Sequence, residues 1–288
     1  MKKKITTILF AVWVMAVLVI LLTVGQTIMM IPEIPGIYHE GMTPAEITEA
    51  LMNVDGLMAN AQFLGEILAI IVLGIWYYKG YVKKDKEAGI YVPVAKKFEN
   101  KFNILFVLCL IILGSTLAYI VYTLTDMAIP STVDAVDEML GGIAGNTLGV
   151  IAIAIGAPFS EELALRGILM QKAKKAFGIV GCVLISGICF GIIHGNAVQF
   201  LYALSLGVAF GYMAYKFNSV IPSIIGHALH NTFGGIIFTY IGIPGEIVLL
   251  VLACVGIFFT YKKVTFPVEK LAEPAVTAEQ NEEIFAEE

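Results

Sequence analysis

Glu161, His194, His227 and Asn231 are the side-chain types that hydrolysis by an activated water requires, and all four sit within apolar stretches. The segment SEELALRG (160–167) also carries Glu162 and Arg166, the only arginine of the chain. On an α-helix, residues four apart lie about 40° apart around the axis and share a face. Glu162 and Arg166 have that spacing, with the acid on the N-terminal side, the better order for an ion pair. Glu161 points roughly 140° away from Arg166. It faces the interior of a bundle without its own cation, and a buried carboxylate needs a partner.

A partner follows from counting. Glu161 lies seventeen residues before Gly178 and His194 sixteen after it, with lysines at 172, 174 and 175 marking a tight turn. In an antiparallel hairpin of helices rising ~1.5 Å per residue, the two side chains reach nearly the same height. Phe190, one turn before His194, walls the same pocket. His227 and Asn231 share a face by the four-residue rule, at a comparable depth. His230 aims nearer the side of that face and reads as hydrogen-bonded to a neighbouring helix.

A glutamate beside a histidine can remove a proton from water, and a second histidine with an amide can stabilise the oxyanion of a tetrahedral intermediate. That is peptide hydrolysis without a covalent intermediate. Glu161, His194 and His227 can equally hold zinc, with water in the fourth position. Other intramembrane chemistries lack their residues. No H-E-x-x-H is present, no aspartate lies within an apolar span, and Leu184 stands where a G-x-S-G loop before Ser186-Gly187 needs glycine.

The elements that carry these residues are membrane helices. The 288-residue chain is 58% hydrophobic and only 14% charged, unlike a soluble domain. Apolar runs long enough to cross a bilayer core of ~30 Å recur at about 5–30, 57–82, 102–125, 146–171, 179–195, 197–217, 219–241 and 245–261. The fold class expected is an all-α polytopic bundle of about eight transmembrane helices with both termini cytoplasmic. The first run is too long for a signal-peptide core and reads as a retained anchor. The outer loops of this scheme (31–56, 126–145, 241–245) contain no lysine or arginine, whereas the inner ones collect lysines at 83–101, 172–175 and 262–270. That is the positive-inside pattern.

Three divisions are expected: three transmembrane helices with their loops in 1–142, the bundle bearing the polar residues in 143–262, and an acidic, disordered cytoplasmic tail in 263–288. Thr43-Pro44-Ala45-Glu46 is a capping box with proline at the first helical position, predicting a short outer helix over 43–54. The four cysteines fall in spans without metal-ligand spacing and read as small apolar residues. Nothing indicates nucleic-acid binding, and no internal repeat supports a transporter. Glu66, a further acid within a span, either lines the cavity or hydrogen-bonds inside the bundle.

EELALR (161–166), FGIIH (190–194) and HALHN (227–231) resemble, in order and spacing, the E-E-x-x-x-R, F-x-x-x-H and H-x-x-x-N motifs of the CAAX protease and bacteriocin-processing (CPBP, or ABI) family. The preceding APFSEE resembles it too, and the likeness covers about residues 146–240. The resemblance implies an intramembrane endopeptidase acting on a hydrophobic or membrane-anchored peptide in the lipid bilayer. Glu161 and His194 would activate water, His227 and Asn231 would stabilise the oxyanion, and Glu162, Arg166 and Phe190 would support them. Leu165 departs from the family, which commonly has an aromatic residue before the arginine. The family has been described both as metalloproteases and as glutamate-dependent proteases. The metal-free form is favoured here, with zinc as the alternative. Eukaryotic members act on prenylated proteins, and many prokaryotic ones serve bacteriocin maturation or immunity. A non-catalytic immunity or sensor protein is the competing reading. Lysine in place of arginine and abundant isoleucine suggest a prokaryotic chain.

Overall fold

The computed structural model describes residues 2–267, leaving aside the side chains at 235, 236, 238 and 239. Among them the chain is helical throughout, with no strand. The elements that matter are α1 (Lys2–Met30), α2 (Pro44–Met52), α3 (Leu57–Tyr77), α4 (Lys101–Ala128), α5 (Pro130–Ile143), α6 (Thr147–Ala173), α7 (Ile179–Ile192), α8 (Ala197–Phe217) and α9 (Ile221–Tyr261). Six helices among the described residues are long and apolar enough to cross a membrane.

The buried positions of α1 (Thr7, Ala11, Val14, Leu18, Gly25) form one stripe at three- and four-residue spacing. That stripe packs on α3, while Leu9, Trp13 and Ile20 face outward, as a helix between lipid and protein requires. α6 is different. Residues 163–170 are buried all round, so the segment carrying Arg166 is the centre of the molecule, held among α1, α3, α7 and α8.

Thr43 and Glu46 make the predicted capping box at the start of α2, through Thr43 N to Glu46 Oε2 at 2.7 Å and Glu46 N to Thr43 Oγ1 at 3.3 Å. The outer connection expected at 126–145 contains a helix, α5, begun by Pro130 at its first turn. The spans expected at 219–241 and 245–261 are the two arms of α9, divided at Gly242 (φ 56°) with Pro244 just beyond. A Cβ built on Gly226 would meet Ile111, and one on Gly256 would meet Cys109. Both arms therefore run along the same part of α4.

The short α7, of 14 residues, rises only about 21 Å, less than a bilayer core of ~30 Å. Its last turn consequently ends within the thickness of the bundle. The acidic tail falls outside the described residues from 268 onward. Its beginning is packed: Phe266 is 5% exposed against Phe106 and Phe217, and the Thr265 amide donates to Asn103 Oδ1 at 3.0 Å. An aromatic side chain there closes the lysine-rich end of the core.

Candidate active site

The centre of the site is the carboxylate of Glu162. Arg166 Nη1 donates to Glu162 Oε1 at 2.8 Å, as the helical spacing predicts, although residues 163–169 are π-helical. His227 Nδ1 lies 3.2 Å from the same oxygen. Arg166 Nη2 donates to the Gly207 carbonyl at 3.0 Å, and its guanidinium stacks over Phe190 at 4.7 Å from the ring centre. Both side chains are buried. A sealed ion pair needs further partners for its remaining groups; the histidine and the carbonyl supply some of them, while Glu162 Oε2 and Arg166 Nε have no hydrogen-bond partner among the described residues.

Gly207 reaches Arg166 because α7 and α8 touch. A Cβ built on Gly207 would lie 2.7 Å from Gly187 Cα, so the contact tolerates no side chain at that point. The sequence offered no motif for the Gly207 carbonyl. Two glycines on adjacent spans are the signal that could have found it.

His194 lies past the end of α7, in the turn closed by Gly195 at φ +71°. This corrects its expected place inside a span running to 195. Its Nδ1 faces the Phe190 carbonyl at 2.7 Å, one of the last carbonyls of the helix. A carbonyl only accepts, so Nδ1 carries the proton and Nε2 keeps a lone pair. Nδ1 of His227 likewise carries a proton, since it faces a carboxylate oxygen. Phe190 stands between the two imidazoles, 5.2 Å from each ring centre and nearly perpendicular to both. Phe210 stacks on His227 at 5.5 Å, a contact that an apolar run does not announce.

Glu161 presents a buried Oε2 with no hydrogen-bond partner among the described residues. Counting placed Glu161 and His194 at nearly the same height, and no hydrogen bond joins them among the described residues. Residues 163–169 between Glu161 and the turn are π-helical. A π turn bonds i to i+5 and climbs less per residue, which upsets a height count based on ideal α geometry. Glu66 hydrogen-bonds inside the bundle, accepting from Ser160 Oγ at 2.6 Å and Gln62 Nε2 at 2.8 Å. It thereby grips the residue before Glu161.

Asn231 is tied to the same helix. Residues 152–156 are π-helical, with the Ala157 amide donating to the Ala152 carbonyl. The next amide in that ladder would belong to position 158, which is proline and has none. The Ile153 carbonyl is thus left over, and Asn231 Nδ2 donates to it at 2.9 Å. The second amide hydrogen of Asn231 remains for another acceptor. His230 bonds Ser115 of α4 at 3.1 Å and takes the neighbour-helix role expected of it.

Among the described residues, no three His, Cys, Asp or Glu side chains converge closely enough to hold a metal ion. Glu161, His194 and His227 as placed do not fit the zinc set.

Fold and site together define a multi-pass helical membrane protein with a glutamate–arginine–histidine centre buried in its bundle. Residues 143–233 match the model of the family described as type II CAAX prenyl endopeptidase Rce1-like. The match takes in every motif residue from Glu161 to Asn231. No curated protein matches the chain, and no solved structure does.

Proposed function

We propose that the protein is an intramembrane endopeptidase that hydrolyses a hydrophobic or membrane-anchored peptide with a water activated by Glu161 and His194. The observation that carries this reading is the unequal state of the two glutamates. Glu162 is engaged through Oε1 by both Arg166 and His227, while Glu161 is held by neither, and each keeps a buried Oε2 without a hydrogen-bond partner among the described residues. A carboxylate held without a partner in a dry site is available to take a proton.

In this scheme the water oxygen attacks the scissile carbonyl carbon and its proton passes to Glu161, with His194 Nε2 orienting the water. The oxyanion receives hydrogen bonds from the spare Asn231 amide hydrogen and from His227. Since the Nδ1 proton of His227 is directed at Glu162, His227 donates to the oxyanion only as imidazolium. Collapse of the intermediate breaks the C–N bond and returns the proton from Glu161 to the leaving amine. Both termini are assigned to the cytoplasm of a cell membrane crossed eight times.

The test uses the full chain in detergent with a hydrophobic reporter peptide. Glu161→Gln and His194→Ala should abolish cleavage, and activity should survive exhaustive chelation. Stoichiometric zinc retained by the wild type and lost in His194→Ala would favour a metalloprotease instead. Retention of full biological function in both variants would point to a non-catalytic binding protein.

A further inference from the structure

At the lysine-rich end of the bundle lies a cavity of about 150 Å³ that none of the motifs reaches. Its lining includes Tyr77, Tyr81, Asp85, Tyr91, Lys97 and Gln171. Lys97 and Asp85 carry opposite charges, yet among the described residues no ion pair joins them, and the surface pair nearby is Lys83–Glu87.

Lys97 is only 8% exposed, an expensive place for an ammonium group. It is fixed at both ends. Asn103 Nδ2 donates to its carbonyl at 2.7 Å, and its Nζ donates to the Asn218 carbonyl at 2.6 Å. Two of its three donors are left. Lys174 converges on the same turn, its Nζ bonded to Asn218 Oδ1 at 2.8 Å. Burial lowers Lys97 from the ordinary lysine range, and burial with the neighbouring Lys97 charge brings Lys174 down to about 8. Positive charge is undercompensated here. Asp85, opposite, is accompanied by tyrosine rings of the kind that already attract a cation: the Lys86 ammonium sits over Tyr91 at 5.0 Å.

An unpaired cation and anion lining one cavity, together with three tyrosines, match a ligand that is itself a separated anion and cation. The lysine-rich end of such a bundle is where lipid headgroups lie. We propose that this cavity binds the headgroup of a zwitterionic aminophospholipid, its phosphate on Lys97 and the tyrosine hydroxyls, its primary ammonium on Asp85. The volume suits a group the size of phosphoethanolamine. A quaternary headgroup lacks the hydrogens Asp85 would accept, and a glycerol headgroup lacks the cation. This assignment is independent of the proteolytic reading.

Native mass spectrometry of the full chain, offered equal amounts of palmitoyl-oleoyl phosphatidylethanolamine, phosphatidylglycerol and phosphatidylcholine, tests it. The wild type should retain the ethanolamine lipid roughly three- to tenfold over the other two, the range of one charge-assisted hydrogen bond after solvent screening. Asp85→Asn, at a partly exposed position outside the helix core, should erase that preference while leaving total lipid bound unchanged. Lys97→Met should weaken retention of all three lipids. Equal retention by the wild type, or a preference that survives Asp85→Asn, overturns the proposal. Soluble phosphoethanolamine competing as well as the lipid would make this a site for a free phosphomonoester and would also overturn it.

Discussion

At Glu162, removal of the carboxylate leaves the Arg166 guanidinium bonded to Gly207 but without its counter-ion, inside a region closed to water. Breaking a buried pair in this way costs about 3–5 kcal/mol, so Glu162→Ala should lower the unfolding midpoint and expression, as differential scanning fluorimetry in detergent would show. Arg166→Lys should not restore stability, because one ammonium cannot reproduce the fork that spans Glu162 and Gly207. Asn231 has two duties that substitution can separate. It donates to the Ile153 carbonyl that Pro158 leaves without a ladder amide, and an orphaned buried carbonyl costs about 1–3 kcal/mol. Asn231→Ala should therefore lose stability and, as an oxyanion donor, about 10²–10³ in turnover. Adding Pro158→Ala restores a backbone donor near Ile153. The double variant should regain stability and stay inactive on the reporter peptide. Recovery of both would show that Asn231 acts only through the fold.

Helices set the limits of what could be read from the sequence. The Glu162–Arg166 pair was legible because four-residue spacing needs only local helical geometry, and the capping box at Thr43 likewise. The count of heights between Glu161 and His194 rests instead on ideal α geometry, which seven π-helical residues, 163–169, and the end of α7 before His194 both depart from. Neither departure has a signature in hydropathy. Pro158 was the one visible hint that the ladder of α6 is displaced, since a proline inside an apolar helix removes a donor. The α7–α8 contact was equally silent, although it sets the Arg166 partner. Its geometry makes an unequal prediction for two glycines. A Cβ on Gly207 would lie 2.7 Å from Gly187 Cα, while one on Gly187 would lie 3.4 Å from Gly207, an ordinary contact. Gly207→Ala should then cost about 1–3 kcal/mol through overpacking and a displaced carbonyl, and Gly187→Ala much less. Equal unfolding midpoints for the two variants would refute this account of the contact.

For the molecule as a whole, the distribution of charge determines how the bundle sits in lipid. The lysines at 83–101, 172–175 and 216 gather at one end, where Lys97 and Lys174 meet Asn218, and lysine and arginine are absent from 31–56, 126–145 and 241–245. That separation was legible from sequence and follows from the cost of moving lysine-rich loops across a membrane during insertion. The arrangement of α9 completes it. A 41-residue helix would extend about 62 Å if straight, twice a bilayer core of ~30 Å, but its two arms share one stretch of α4 and place Gly242–Pro244 at the lysine-free end. An enzymatic or fluorescent reporter inserted after residue 90 or 176 should accordingly read as cytoplasmic, and one near 135, on α5, as external. A reporter after Gly242 should also read as external. If the arms formed a single crossing, that last reporter would fall within the membrane and give neither signal. A cytoplasmic signal at 135 would invert the bundle, set the lysine-rich end outside, and overturn the eight-crossing arrangement.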